Sequence, residues 1–211
     1  MSSKSHFFNR RLRLLADYQF NNNLIDDANG YNLVGTDITY NNGNAVFNGT
    51  TSNARRGDTN DIFSFTDGVN DLPFRIELSV KFNSLSNTIQ FLLSKRGSGD
   101  NKNEWQLARN GNKLTFSLFS DKEITDYIQK TINTDINIIE NYLIIIDYNG
   151  NGINGLNINV NGVDGQEQNL VGNYLKMLPT QSILALGIAE FDSFNNILKF
   201  NGEIDYLKIY K

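Results

Sequence analysis

The stretch Phe74-Arg75-Ile76-Glu77-Leu78-Ser79-Val80-Lys81-Phe82 alternates five apolar with four polar side chains without a break. Successive side chains of a strand point to opposite faces, so this spacing predicts one strand with a core face and a wet face. The alternation recurs in Leu114-Thr115-Phe116-Ser117-Leu118 and in Leu156-Asn157-Ile158-Asn159-Val160-Asn161. Between them, Gln90-Phe91-Leu92-Leu93 and Tyr142-Leu143-Ile144-Ile145-Ile146 suit strands buried on both faces. Turn clusters punctuate the strands: Asn41-Asn42-Gly43-Asn44, Asn110-Gly111-Asn112, Asn149-Gly150-Asn151-Gly152 and Asn161-Gly162. Many short strands at this spacing predict an antiparallel sandwich or barrel. One segment competes as helix, Asp121 to Asn133, where Ile124, Tyr127, Ile128 and Ile132 fall at helical spacing behind an Asp able to cap.

Composition narrows the chemistry. A chain of 211 residues buries roughly 70% of its unfolded surface, enough for one core without staples. It has no Cys, which removes disulfides, thiolate metal sites and thiol nucleophiles, and its single His, His6, leaves no multi-His zinc site. A net charge of −4 argues against nucleic acid as the partner. No apolar run reaches the length of a membrane span, so no membrane insertion is expected. The segment from Met1 to Leu15 lacks the apolar core of a secretory signal, which predicts a chain that stays inside the cell, leaves by lysis or a specialised route, or has lost its signal from this sequence. Residues 1–13 read as a basic N-terminal arm carrying Arg10, Arg11 and Arg13, and residues 14–211 as one domain. The arm is either a frayed terminus or a docking element for an acidic surface or a neighbouring subunit.

Several motifs imitate functional sites. Gly150-Asn151-Gly152-Ile153-Asn154-Gly155 satisfies the GxGxxG pattern, but a dinucleotide loop needs a helix after it, and an alternating strand follows instead. Asp147-x-Asn149-x-Asn151-Gly152 matches half of an EF-hand loop, yet Ile158 stands where the bidentate Glu belongs. The neighbouring acids Asp26 and Asp27, and Asp58 and Asp61, read as solvated loop carboxylates rather than a glycosidase pair. Asp205 shares the alternation of Leu207 and Ile209. A carboxylate on an apolar face sits at a sheet rim, pairs with a base or binds a cation.

Further segments carry a resemblance that spans about Leu14 to Tyr210. Asp26-Asp27-Ala28-Asn29-Gly30, Asn44-Ala45-Val46-Phe47-Asn48-Gly49, Leu92-Leu93-Ser94-Lys95 and Tyr142 to Gly150 occur in the order seen in laminin G-like, concanavalin A-like jelly rolls. The ending Phe200-Asn201-Gly202-Glu203-Ile204-Asp205-Tyr206-Leu207-Lys208-Ile209-Tyr210 resembles that family's terminal strand most closely. The resemblance implies an all-β, antiparallel two-sheet jelly-roll β-sandwich. It also implies a structural calcium ion held by Asp205 with backbone help from Gly49 and the region beginning at Asp17. The clustered acids of the related laminarinase-type hydrolases have no counterpart here, so a non-enzymatic module is expected.

Two roles follow as expectations. One is a structural or adhesive protein of a phage virion, displayed on head or tail, whose partners are other virion proteins and which forms a homo-oligomer. The other is a carbohydrate-binding lectin domain, extracellular or at a cell surface, whose partner is a glycan or protein receptor. Trp105, Tyr127, Tyr148 and Tyr174 are the aromatics expected to be partly exposed as ligand platforms, against the alternative that they pack in the core or at its rim.

Overall fold

The computed structural model describes residues 12–86, 89–97, 103–120, 125–189 and 198–211. Within them the chain runs through β1 (Leu14–Tyr18), β2 (Val34–Thr36), β3 (Thr39–Asn41), β4 (Asn44–Asn48), β5 (Asn53–Arg56), β6 (Phe74–Phe82), β7 (Ile89–Arg96) and β8 (Asn103–Asn110). It continues through β9 (Lys113–Phe119), β10 (Tyr127–Asn133), β11 (Asn141–Tyr148), β12 (Leu156–Val160), β13 (Val163–Asp164), β14 (Glu167–Val171), β15 (Leu184–Leu186) and β16 (Asn201–Tyr210). Every ladder between these strands is antiparallel. The first sheet has the order β13-β12-β11-β6-β16-β4-β3, with β1 also on β16, and the second the order β14-β10-β9-β8-β7-β15-β5-β2. The fold is therefore all-β and a two-sheet sandwich, one of the two architectures, sandwich or barrel, that the alternation predicts and the one that the family resemblance implies.

The strand Phe74–Phe82 is central in the first sheet, between β11 and β16. Its five apolar side chains are at most 1% exposed, while Arg75, Glu77, Ser79 and Lys81 face outward. Leu107 of β8 and Leu114, Phe116 and Leu118 of β9 close the core from the second sheet. Aromatic rings stack through its centre, with Phe65 4.0 Å from Phe74, 5.6 Å from Trp105, and Phe74 5.5 Å from Tyr148. Two type I′-like turns sit at Asn-Gly pairs: Asn42 and Gly43 at φ of 51° and 95°, Asn161 and Gly162 at 50° and 88°. These left-handed angles match the twist of the flanking strands, and Asn and Gly adopt them most readily.

The helical reading of Asp121 to Asn133 is corrected in its second half, since 121–124 lie outside the described residues. Tyr127–Asn133 is strand, laddered to β9 on one side and β14 on the other. Pairing on both edges satisfies its backbone, and β-branched Ile128, Thr131 and Ile132 suit a pleated surface better than a helix. The Gly150–Gly155 motif forms a single 3₁₀ turn at Gly152–Gly155 that leads into β12, so its glycines are turn glycines.

Asp205 does not share the face of Leu207 and Ile209. The ladder with β6 shifts between Ile204 and Tyr206, a bulge that leaves Ile204 and Leu207 both buried and puts Asp205 in solvent. One inserted residue reverses the alternation, which a strict two-residue count cannot anticipate. The loop acids also need correction. Asp26 is buried and accepts from the backbone N–H of Asp17, Ala28, Asn29 and Tyr31 at 2.7–3.0 Å. Asp58 is 1% exposed and accepts from Ile62 N and Phe63 N at 2.7 and 3.0 Å. At the edge of the first sheet Arg13 and Lys211 exchange two backbone hydrogen bonds of 2.9 Å, so the described chain enters and leaves side by side.

Candidate functional site

The outer face of the second sheet is built from polar side chains in cross-strand rows. Ser94, Gln106, Ser117, Gln129 and Asn169 stand opposite one another on β7, β8, β9, β10 and β14. The next row is Phe91, Ala108, Thr115, Thr131 and Glu167, and beyond it lie Asn110, Lys113 and Asn133. A groove of about 280 Å³ follows these rows, with Phe91 and Ala108 as an apolar patch and Gln106, Thr115, Gln129 and Thr131 around it. Ala189 and Leu198 pack against that patch.

Hydrogen bonds across the strands hold the groove's polar groups in place. Gln129 Nε2 donates to Ser117 Oγ at 3.1 Å, and the Thr115 and Thr131 hydroxyls meet at 3.1 Å. Lys113 Nζ bridges to Glu167 at 2.7 Å, and with Asn133 it holds that carboxylate below the usual range. At the other end Arg96 donates to Asn103 Oδ1 at 2.9 Å and to Gln106 Oε1 while lying 4.9 Å over the Phe119 ring. Phe119 in turn contacts Tyr127, whose ring lies one outward position along β10 from Gln129. The arrangement offers fixed amide and hydroxyl groups beside an apolar floor with an aromatic rim. Such a surface suits a ligand that carries hydroxyl groups on an apolar ring face.

A second groove, about 490 Å³, lies on the outer face of the first sheet between Arg75, Lys130, Asp147 and Asp164. Its charges answer one another within the protein. Arg75 grips Asp147 with a two-pronged contact at 2.7 and 2.8 Å, and Asn157 and Asn159 both donate to Asp164 Oδ1 at 2.8 Å. Asp147, the first residue of the half EF-hand pattern, is thus occupied by a guanidinium.

Three of the four expected aromatic platforms take structural positions. Trp105 is fully buried and donates from Nε1 to Phe63 O at 3.1 Å. Tyr148, fully buried, and Tyr174, partly buried, both donate their hydroxyls to Asp71 Oδ2 at 2.6 Å, while Met177 N reaches Oδ1 at 2.6 Å. Burial and the Asp71 carboxylate push both tyrosine pKa values up, so they remain donors. Tyr127 stands near the groove of the second sheet, beside Gln129 on the outer face of β10. The expected calcium ligands are not brought together. Asp17 lies opposite Lys208 and 3.5 Å from its amine, Gly49 packs on Asn201, and the seven-residue step from Asn201 to Lys208 takes up about 23 Å of strand. Ligands of one calcium ion lie within about 2.6 Å of it.

The charged residues among those lining the groove are Lys113 and Glu167, which pair with each other. Among the described residues no three His, Cys, Asp or Glu side chains gather as a metal centre, and no helix is long and apolar enough to cross a membrane. Sequence reading missed Gln106, Gln129 and Thr131 as a group. The signal lay in the polar half of each strand, but which polar halves share a face depends on the order of strands.

No protein-family model matches the chain, and no curated protein matches it. Solved structures do. The binding domain of botulinum neurotoxin serotype D/C VPI 5993 superposes with a TM-score of 0.69 at 14% identity, over 93% of this chain and 48% of that one. The serotype G binding domain gives 0.63 at 17% identity, over 94% and 47%. The receptor binding domain of the C/D mosaic serotype gives 0.61 at 14%, over 93% and 47%. This chain therefore spans about half the length of the structures it resembles, and at these identities the likeness is one of fold: a β-sandwich that also occurs within binding domains.

Proposed function

We propose that this chain is a non-enzymatic recognition module that binds a cell-surface glycan, free or on a glycoprotein receptor, along the outer face of the second sheet. The observation that carries the reading is the groove of paired amides and hydroxyls around Phe91 and Ala108. Sugars present hydroxyl groups to such amides and C–H faces to apolar or aromatic floors. Similarity to domains named for binding accords with it. The placement on a phage particle rests on sequence alone, and mass spectrometry of intact particles from the source tests it.

The decisive experiment is a glycan array followed by calorimetry on the hit, run with calcium and with chelator. Gln106→Ala and Gln129→Ala are each expected to weaken binding about 5- to 10-fold, the worth of one hydrogen bond to a ligand. Binding unchanged by both substitutions, or no glycan above background, removes this reading.

A further inference from the structure

One cluster in the core takes no part in the groove. Lys95 on β7 and Glu104 on β8 are both 0% exposed, and Asp58, just beyond β5, is 1% exposed. Lys95 Nζ lies 2.8 Å from Glu104 Oε2 and 3.3 Å from Asp58 Oδ2, and it also donates to Thr180 O. Phe63, Phe65 and Trp105, all fully buried, belong to the core around this cluster, and Trp105 Nε1 ties to Phe63 O. Two carboxylates and one ammonium in such a place carry a heavy desolvation cost, which a neutral product would avoid.

The three groups are also arranged for reaction. A primary amine touches a carboxyl group, and a second carboxyl group touches the same amine. Asp58 accepts Ile62 N–H on Oδ1 at 2.7 Å and Phe63 N–H on Oδ2 at 3.0 Å, so backbone donors already polarise the carboxyl that would be attacked. Glu104 is held by Ser64 Oγ at 3.0 Å, Phe65 N at 3.1 Å and Thr180 Oγ1 at 3.3 Å. Fixed contact of this kind is worth an effective concentration on the order of 10⁵ M or more.

We propose that Lys95 and Asp58 condense within the folded chain into an amide bond between their side chains, with Glu104 relaying the protons. Glu104 takes a proton from the Lys95 ammonium, and rotation about the Cε–Nζ bond turns the freed lone pair to Asp58 Cγ. The Nζ–Cγ bond forms while Ile62 N–H supports the charge growing on Oδ1. Glu104 passes its proton to Oδ2, takes the second proton from Nζ and passes that on too, and the Cγ–Oδ2 bond breaks to release one water. Ammonium and carboxylate become amide and water, with Glu104 returned to its starting state. Burial pushes the Glu104 carboxyl up to about 7, partly offset by Lys95, so near neutral pH it is able both to take and to give a proton. Water is kept out of the site, which opposes the reverse reaction.

The test is the mass of the intact, denatured full-length chain beside Lys95→Arg prepared in the same way. The native chain is expected to be lighter than its sequence by one water, and Lys95→Arg to have its full sequence mass. Tandem fragmentation of a digest should place the link between the peptides that hold Asp58 and Lys95. Glu104→Gln is expected to remain unlinked, and a linked Glu104→Gln chain overturns the relay. A native chain at full sequence mass overturns the bond itself, and that measurement needs no variant to fold.

Discussion

Asp26 and Asp71 do similar work in two loops: each collects several donors on one carboxylate. Burial alone would raise the Asp26 pKa, but four backbone N–H groups outweigh it and hold the carboxyl below its ordinary value. A carboxyl lowered in the folded state stabilises the fold above its unfolded pKa of about 3.9, and this contribution is lost as pH falls through the folded value. Asp26→Ala should cost about 2–3 kcal/mol in urea unfolding at pH 7, with the difference shrinking in acid. Tyr148→Phe and Tyr174→Phe should each cost about 1 kcal/mol and leave glycan affinity unchanged, which calorimetry on the same variants would check. At this scale the sequence says which residues are acids and aromatics, but not how many donors reach them. Asp26 and Asp58 look like solvated loop residues because most of their donors are backbone groups of the segments that follow them, which no side-chain pattern records.

Among the elements, β6 and the Asn-Gly turns were legible because each depends on a few consecutive residues. The terminal strand β16 was legible as a strand and misread in register. Its bulge at Asp205 compensates for a residue that would otherwise turn Leu207 and Ile209 outward. Asp205→Ala should therefore shift stability by no more than about 0.5 kcal/mol, because the side chain is in solvent. Deleting Asp205 should be far worse, since the bulge goes with it and a one-residue slip moves a whole apolar set to the other face. Circular dichroism and a denaturation midpoint distinguish the two variants. For β10 the error ran the other way: helical spacing among isoleucines was real, and pairing on both edges overrode it.

At the level of the molecule, the candidate groove draws on residues 91, 106, 115, 129 and 167, which come together only when five strands are ordered. This is why the core could be read from alternation and the groove could not. The buried cluster also gives the whole fold a pH response. Glu104 is raised by burial to about 7 from an ordinary 4.5, so the folded state holds its proton more tightly than the unfolded chain. Its contribution is complete below the unfolded value and fades as pH climbs through 7. Urea titrations should show stability falling on the order of 1 kcal/mol per unit between about pH 5 and 7, a slope that Glu104→Gln flattens.

The neighbouring ends at Arg13 and Lys211 have a mechanical meaning. β1 and β16 are antiparallel, and their ladder begins at Leu14 and Tyr210, the next pair inward. Tension applied between the two ends pulls across that ladder and parts it one rung after another, as a zipper opens, at low force. Tension applied between one end and the groove of the second sheet instead runs through the packed sandwich and loads many bonds together. Loaded between Lys211 and the outer face of the second sheet, the fold is stiff; pulled apart at Arg13 and Lys211, it peels.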